Sequence, residues 1–101
     1  MNIHRPNQVW VSDITYIGKR EKPCYLSLIT DAYSKKIVGY EVSNTMCTTH
    51  VVKALKMAHK QRKTKEMLIH HSDRGVQYCS DEYQYYLSKY KINCSMTENS
   101  D

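Results

Sequence analysis

The apolar positions of this chain first alternate and later recur at helical spacing. Around Trp10–Ile17, Val9, Val11, Asp13, Thr15 and Ile17 share one face of a period-two pattern, with Trp10, Ser12, Ile14 and Tyr16 on the other. Both faces are largely apolar, which predicts a central strand. Asp13 in its middle is then expected to be buried, and to need pairing, hydrogen bonding or a metal. A polar turn, Gly18–Pro23, precedes a second strand over Cys24–Asp31, where Cys24, Leu26, Leu28 and Thr30 alternate with Tyr25, Ser27, Ile29 and Asp31. Ser34-Lys35-Lys36 leads to a third strand, Ile37–Val42. Connections this short predict an antiparallel meander.

The period then changes. Thr48 or Thr49 can cap a helix running to about Arg62. Val51, Leu55 and Ala58 fall at helical spacing on one side, and Lys53, Lys56 and Lys60 on another. That basic side either lines a DNA path or is a solvated face. Met67–His71 is a short run between two helices, which suggests a buried parallel strand reached by a crossover helix. Ser80 can cap a second helix with Asp81 and Glu82 in its first turn. Tyr83, Tyr86, Leu87 and Tyr90 form a helical stripe that reads as core packing. Ile92–Met96 is a short fifth strand, and Thr97–Asp101 a polar tail. The order β-β-β-α-β-α-β predicts an α/β fold, a mixed sheet flanked by helices.

A length of 101 residues suits one domain, residues 1–101. Fifteen Lys and Arg against ten Asp and Glu leave a formal charge of +5, which favours an anionic partner, nucleic acid foremost. No apolar run is long enough for a membrane span, and no signal-peptide pattern follows Met1–Gln8, so a cytoplasmic location is expected. The four cysteines include no Cys-x-x-Cys pair, so a disulfide framework or zinc ribbon is unsupported. Cys24 and Cys94, in predicted strands, are expected to be buried free thiols.

The candidate chemistry rests on two carboxylates. Asp73 closes the fourth strand, and functional groups gather at the carboxyl ends of parallel strands. If the first and fourth strands are neighbours, Asp13 and Asp73 face each other. Carboxylates about 4 Å apart repel by roughly 4 kcal/mol at an effective dielectric near 20, which raises a pKa or recruits a cation. Hard oxygen ligands suit Mg²⁺ or Mn²⁺ rather than zinc. The plainer alternative is that Asp73 opens and caps a turn through its side chain. His70 and His71 point to opposite faces of a strand, which argues against a shared zinc site. Gly75 is expected to supply a positive φ in the turn.

Trp10-x-Ser12-Asp13-Ile14-Thr15-Tyr16, Asp31–Gly39 and His71-Ser72-Asp73-Arg74-Gly75-x-Gln77-Tyr78 together resemble the integrase-type catalytic core of bacterial insertion-sequence transposases. The resemblance covers nearly the whole chain. It implies a ribonuclease-H-like, mixed five-stranded sheet with flanking helices. It further implies divalent-metal-dependent DNA cleavage and strand transfer, with a triad of two aspartates and a glutamate holding Mg²⁺ or Mn²⁺, two ions in the complete enzyme. The two aspartates fall on Asp13 and Asp73. The glutamate falls beyond Asp101, because Glu98 comes too soon after Asp73 and lies in the polar tail. The chain is thus expected to be a partial core, incomplete at its carboxyl end. DNA is the expected partner, as mobile-element ends and target, and such cores also associate as homodimers. His71 would support the Asp73 turn, Arg74, Lys35 and Lys36 would touch phosphates, Lys53 and Lys56 would line the DNA path, and Gln77 and Tyr78 would line the site. Asp31 recurs in the family pattern outside the triad. Two other readings stay open: a non-catalytic remnant that binds DNA or dimerises, and a ribonuclease-H-like nuclease acting on RNA.

Overall fold

The computed structural model describes residues 2–96, so the predicted polar tail, with Glu98, lies outside the described residues. The strands are β1 (Val9–Tyr16), β2 (Tyr25–Asp31), β3 (Ile37–Ser43), β4 (Ile69–Ser72) and β5 (Asn93–Met96). The helices are α1 (Thr48–Gln61), α2 (Val76–Cys79) and α3 (Asp81–Lys89). The five strands form one mixed sheet in the order β3-β2-β1-β4-β5. β1, β2 and β3 are the predicted antiparallel meander, and β4 lies parallel to both β1 and β5. β1 is central, as its pattern predicts.

Its two faces are not alike. Trp10 and Ser12 are buried under the helices, whereas Val11, Asp13 and Thr15 are exposed. The same parity runs across the sheet, because Trp10 pairs with His70 and Asp31, and Ser12 with Ile29. Among the described residues, the helices cover one face only. Asp13 therefore stands on an uncovered face and is exposed, contrary to the burial expected of a central strand.

The core lies between the covered face and α1 and α3. Trp10, Leu55, Ala58, Leu68 and Tyr83 are fully buried there, with Ile29, Val51, Val52 and Leu87 around them. α1 buries Val51, Val52, Ala54, Leu55 and Ala58, the predicted apolar side. Gly39 lets α1 come close to β3: an added Cβ would overlap the Ala54 carbonyl oxygen and sit 3.0 Å from Ala58 Cβ. The tyrosine stripe packs as predicted, with Tyr83 and Leu87 buried and Tyr86 and Tyr90 against the core. Ser80 caps α3 by accepting from the Tyr83 N–H at 3.2 Å.

Several local expectations fail for identifiable reasons. Cys47, not Thr48 or Thr49, occupies the cap position of α1 and makes no side-chain cap bond. Cys24 is only half-buried and Cys94 is exposed, because β5 is an edge strand. α2 has no counterpart in the sequence reading, since a single turn shows no apolar period. Gly75 has φ −60, not a positive value. A close approach explains the glycine instead, since a Cβ there would lie 2.9 Å from Asp73 Oδ1.

Candidate active site

The β1–β4 register sets the site. Val9, Trp10 and Val11 pair with Ile69, His70 and His71. The ladder pairs end at Val11–His71; Asp13 lies two residues further along β1, and Asp73 directly follows β4, which ends at Ser72. Both carboxylates are exposed. Asp13 Oδ1 accepts from the Ile14 N–H at 2.9 Å, and Asp73 Oδ1 from the Gly75 N–H at 2.8 Å. The turn-capping geometry of Asp73 is thus present beside its placement next to Asp13. Neither carboxylate is in an ion pair among the described residues.

Tyr78, two residues past Val76 on α2, belongs to the core. It is buried on α2, with its ring 5.9 Å from His70 and 5.2 Å from Tyr83. Burial pushes its hydroxyl well above the usual phenol range, and the charges of Tyr83, Asp13 and Asp73 push the same way. The phenol therefore stays protonated across the neutral range.

The other predicted residues divide by position. His71 shares the open face with Val11 and lies 3.2 Å from Ser95 Oγ through Nδ1. Arg74 is exposed directly after Asp73, and its carbonyl faces Cys79 Sγ at 3.6 Å. Gln77 is half-buried and donates to the Met46 carbonyl at 3.4 Å, tying α2 to the segment before α1. Lys35 and Lys36 lie in the β2–β3 turn, beyond the Asp31–Trp10 pair and hence at the opposite end of β1 from Asp13. Lys53 and Lys56 project from the outer side of α1, Lys53 3.9 Å from a Glu41 oxygen and Lys56 4.6 Å from the Tyr86 ring centre. The structure does not bring these four lysines to the carboxylates. Asp31 is buried and used as a turn cap, accepting from Tyr33 N, Ser34 Oγ and Asn7 N at 3.1, 2.9 and 3.3 Å.

Beneath the acids lies a polar cluster that reasoning from sequence missed. His70 is fully buried, and its Nε2 is 2.6 Å from Ser12 Oγ and 2.7 Å from Tyr83 Oη. The cluster ties β1, β4 and α3 together one residue below the Asp13 level. Burial, then the nearby His71, pulls the His70 pKa down to about 4, so the imidazole is neutral; a backbone hydrogen bond opposes them in part. Its Nδ1 is buried without a partner among the described residues. The available signal was two polar residues, Ser12 and His70, at core-facing parities of adjacent strands.

The donor set fits a hard divalent cation. Asp13 and Asp73 are exposed carboxylates two residues past the Val11–His71 pair, and Mg²⁺ is commonly held by one or two carboxylates with its remaining positions open to water and phosphate. No group of three His, Cys, Asp or Glu side chains with metal-holding geometry occurs among the described residues.

A mixed five-stranded sheet in the order β3-β2-β1-β4-β5, with helices packed on it, defines an integrase-like α/β core. The integrase core domain family matches residues 3–101, and the chain belongs to that family. It is 40% identical over 96 residues, 95% of its length, to an insertion element IS600 uncharacterized 31 kDa protein of Shigella sonnei. It is 39% identical over 92 residues to the transposase InsF for insertion sequence IS3A of Escherichia coli (strain K12), covering 91% of this chain. The matched part is 35% and 32% of those proteins, so the chain spans about a third of the length of these relatives. Among solved structures, the HTLV-2 integrase catalytic core domain in complex with magnesium superposes with a TM-score of 0.77 at 21% identity, covering 91% of this chain and 60% of that one. The simian T-cell lymphotropic virus intasome superposes with a TM-score of 0.82 at 19% identity, over 98% of this chain and 37% of that one. These two likenesses establish the fold.

Proposed function

We propose that this chain is part of the catalytic core of a DDE transposase, which cuts DNA and transfers its strands with divalent-metal help. The observation that carries the reading is the parallel β1–β4 pairing, whose register, continued two residues past Val11–His71, reaches Asp13 and Asp73. Relatives named as transposases support it.

In this reading Asp13 and Asp73 are the residues that hold Mg²⁺ or Mn²⁺, each through carboxylate oxygens. A bound divalent cation supplies a Lewis acid that activates an attacking oxygen and neutralises charge on the phosphate. The chain's own groups set the conditions. The backbone N–H groups of Ile14 and Gly75 orient one oxygen of each carboxylate. Tyr78 keeps its proton and can donate toward the acids, while Arg74, exposed beside Asp73, is the phosphate contact. His71, placed by Ser95, supports the open face from β4. The lysines of the β2–β3 turn and of α1 lie further out and serve as DNA-backbone contacts rather than as parts of the reacting centre. The third acid of the triad lies outside residues 2–96. A homodimer accords with solved cores such as the HTLV-2 domain, described in dimeric and trimeric forms.

A second reading has its own support. Among the described residues no group of three His, Cys, Asp or Glu side chains has metal-holding geometry. A chain so equipped can bind DNA, or a second copy, without cutting. End-labelled duplex DNA and an RNA–DNA hybrid, each incubated with Mn²⁺, separate the readings. Scission of the duplex that vanishes in Asp13→Asn and Asp73→Asn supports the transposase core. Binding without scission supports the non-catalytic reading, and preferential cutting of the hybrid points to a nuclease acting on RNA.

A further inference from the structure

The end of the sheet away from the acids carries a groove that the catalytic reading leaves unused. It runs between the α1–β4 connection and the α3–β5 turn. Arg62, Lys63 and Lys65 line it from one side, and Lys89 and Lys91 from the other. No acidic residue lines it. The connections precede β4 and β5, so the groove lies at the amino end of the parallel strands. From Leu68 to Asp73 a strand rises roughly 16 Å, which separates the groove from the carboxylates.

The groove is a built feature rather than a scatter of side chains. Arg62 bridges its two walls, donating from Nη1 to the Tyr90 carbonyl at 3.3 Å and from Nη2 to the Glu66 carbonyl at 2.8 Å. Glu66 is the nearby acid, and its carboxylate is taken by Arg5 at 3.1 Å. The guanidinium of Arg62 therefore bonds two neutral carbonyls, and its Nε is buried without a partner among the described residues. His59 stacks flat on Tyr90, with centroids 3.6 Å apart and planes at 6°, forming a rigid wall. Burial first and then the Arg62 charge hold His59 below the ordinary imidazole range. The outer face of α1 differs, since Lys53 there has Glu41 at 3.9 Å.

Cations gathered from two connections, without an acid among them and on a fixed frame, suit a row of phosphates. Contacts to phosphates fix position on a duplex without reading its sequence. We propose that this groove binds the phosphodiester backbone of duplex DNA, as a second contact separate from the Asp13–Asp73 site. The choice of DNA over another polyanion rests on the transposase-core reading, whereas the anionic nature of the ligand rests on the groove alone.

The test is fluorescence anisotropy of a labelled duplex of arbitrary sequence, in EDTA, over a range of salt. Removing divalent metal takes the carboxylates out of the measurement, so its result is independent of whether they hold a cation. The variant is Lys63→Glu with Lys65→Glu, both exposed residues. The control is Lys19→Glu with Lys22→Glu in the β1–β2 turn, which changes the net charge equally. Thermal melts confirm that both variants fold. The groove variant should lose about tenfold in affinity and lower the salt slope by about two, near 0.9 for each lost phosphate contact. The control should lose distinctly less. Equal losses in both pairs would show a diffuse charge effect and overturn the proposal, as would a wild-type chain that binds no duplex. Tighter binding of single-stranded RNA of the same length would assign the groove to another ligand and overturn it too.

Discussion

His70 is buried as a neutral imidazole between two hydroxyls, and this has a measurable consequence. Its folded pKa of about 4 lies below the unfolded value near 6.5. Above pH 6.5 neither state binds the proton and the stability is complete. As the pH falls from 6.5 to 4, the unfolded chain takes up a proton that the folded one refuses. Stability should therefore fall over that window, by about 3 kcal/mol at roughly 1.4 kcal/mol per pKa unit. Urea unfolding at a series of pH values measures this, and His70→Gln should remove the His70 share of the slope. At this scale the sequence showed the acids but not their support. Asp13 stands out because a carboxylate interrupts an apolar strand, and Asp73 because it closes the fourth strand. Ser12, His70 and Tyr83 are unremarkable in isolation, and only the β1–β4 register brings them together. Asp13 proved exposed because strand periodicity reveals which residues share a face but not whether that face is covered.

Among the elements, the position of α1 on the sheet depends on a missing side chain. Gly39 sits where the Ala54 carbonyl and Ala58 approach β3. Gly39→Ala must lift the helix or shift the strand, and overpacking of this kind costs about 1–3 kcal/mol. Thermal melting should show that loss, whereas an alanine at exposed Lys60 should leave the midpoint nearly unchanged. The strands and α1 were legible because each runs long enough to show its period. α2 was not, since a helix of four residues, Val76–Cys79, completes barely one turn. The α1 cap was misplaced because either threonine has the right chemistry, and the helix begins one residue earlier than that chemistry suggests. Ser80 was read correctly because its hydroxyl, the acids after it and the tyrosine stripe all mark the same start.

The molecule as a whole is polarised along its parallel strands. Asp73 follows the carboxyl end of β4 with Asp13 mid-way along β1, and an unbalanced basic groove marks the amino end. The strand order of the sheet follows from short hairpin connections and two helical crossovers, which is why the α/β class could be read from patterning alone. The basic groove could not, because its cations come from residues 62–65 and 89–91 and meet only through the fold. The central claim is that this polarity ends in a cation site made by Asp13 and Asp73. It is tested most directly by calorimetric titration of the chain with Mn²⁺ beside Asp13→Asn and Asp73→Asn. The account predicts binding by the parent chain and its loss in each variant, with the folded state retained in all three. Binding that persists unchanged in both variants would contradict it.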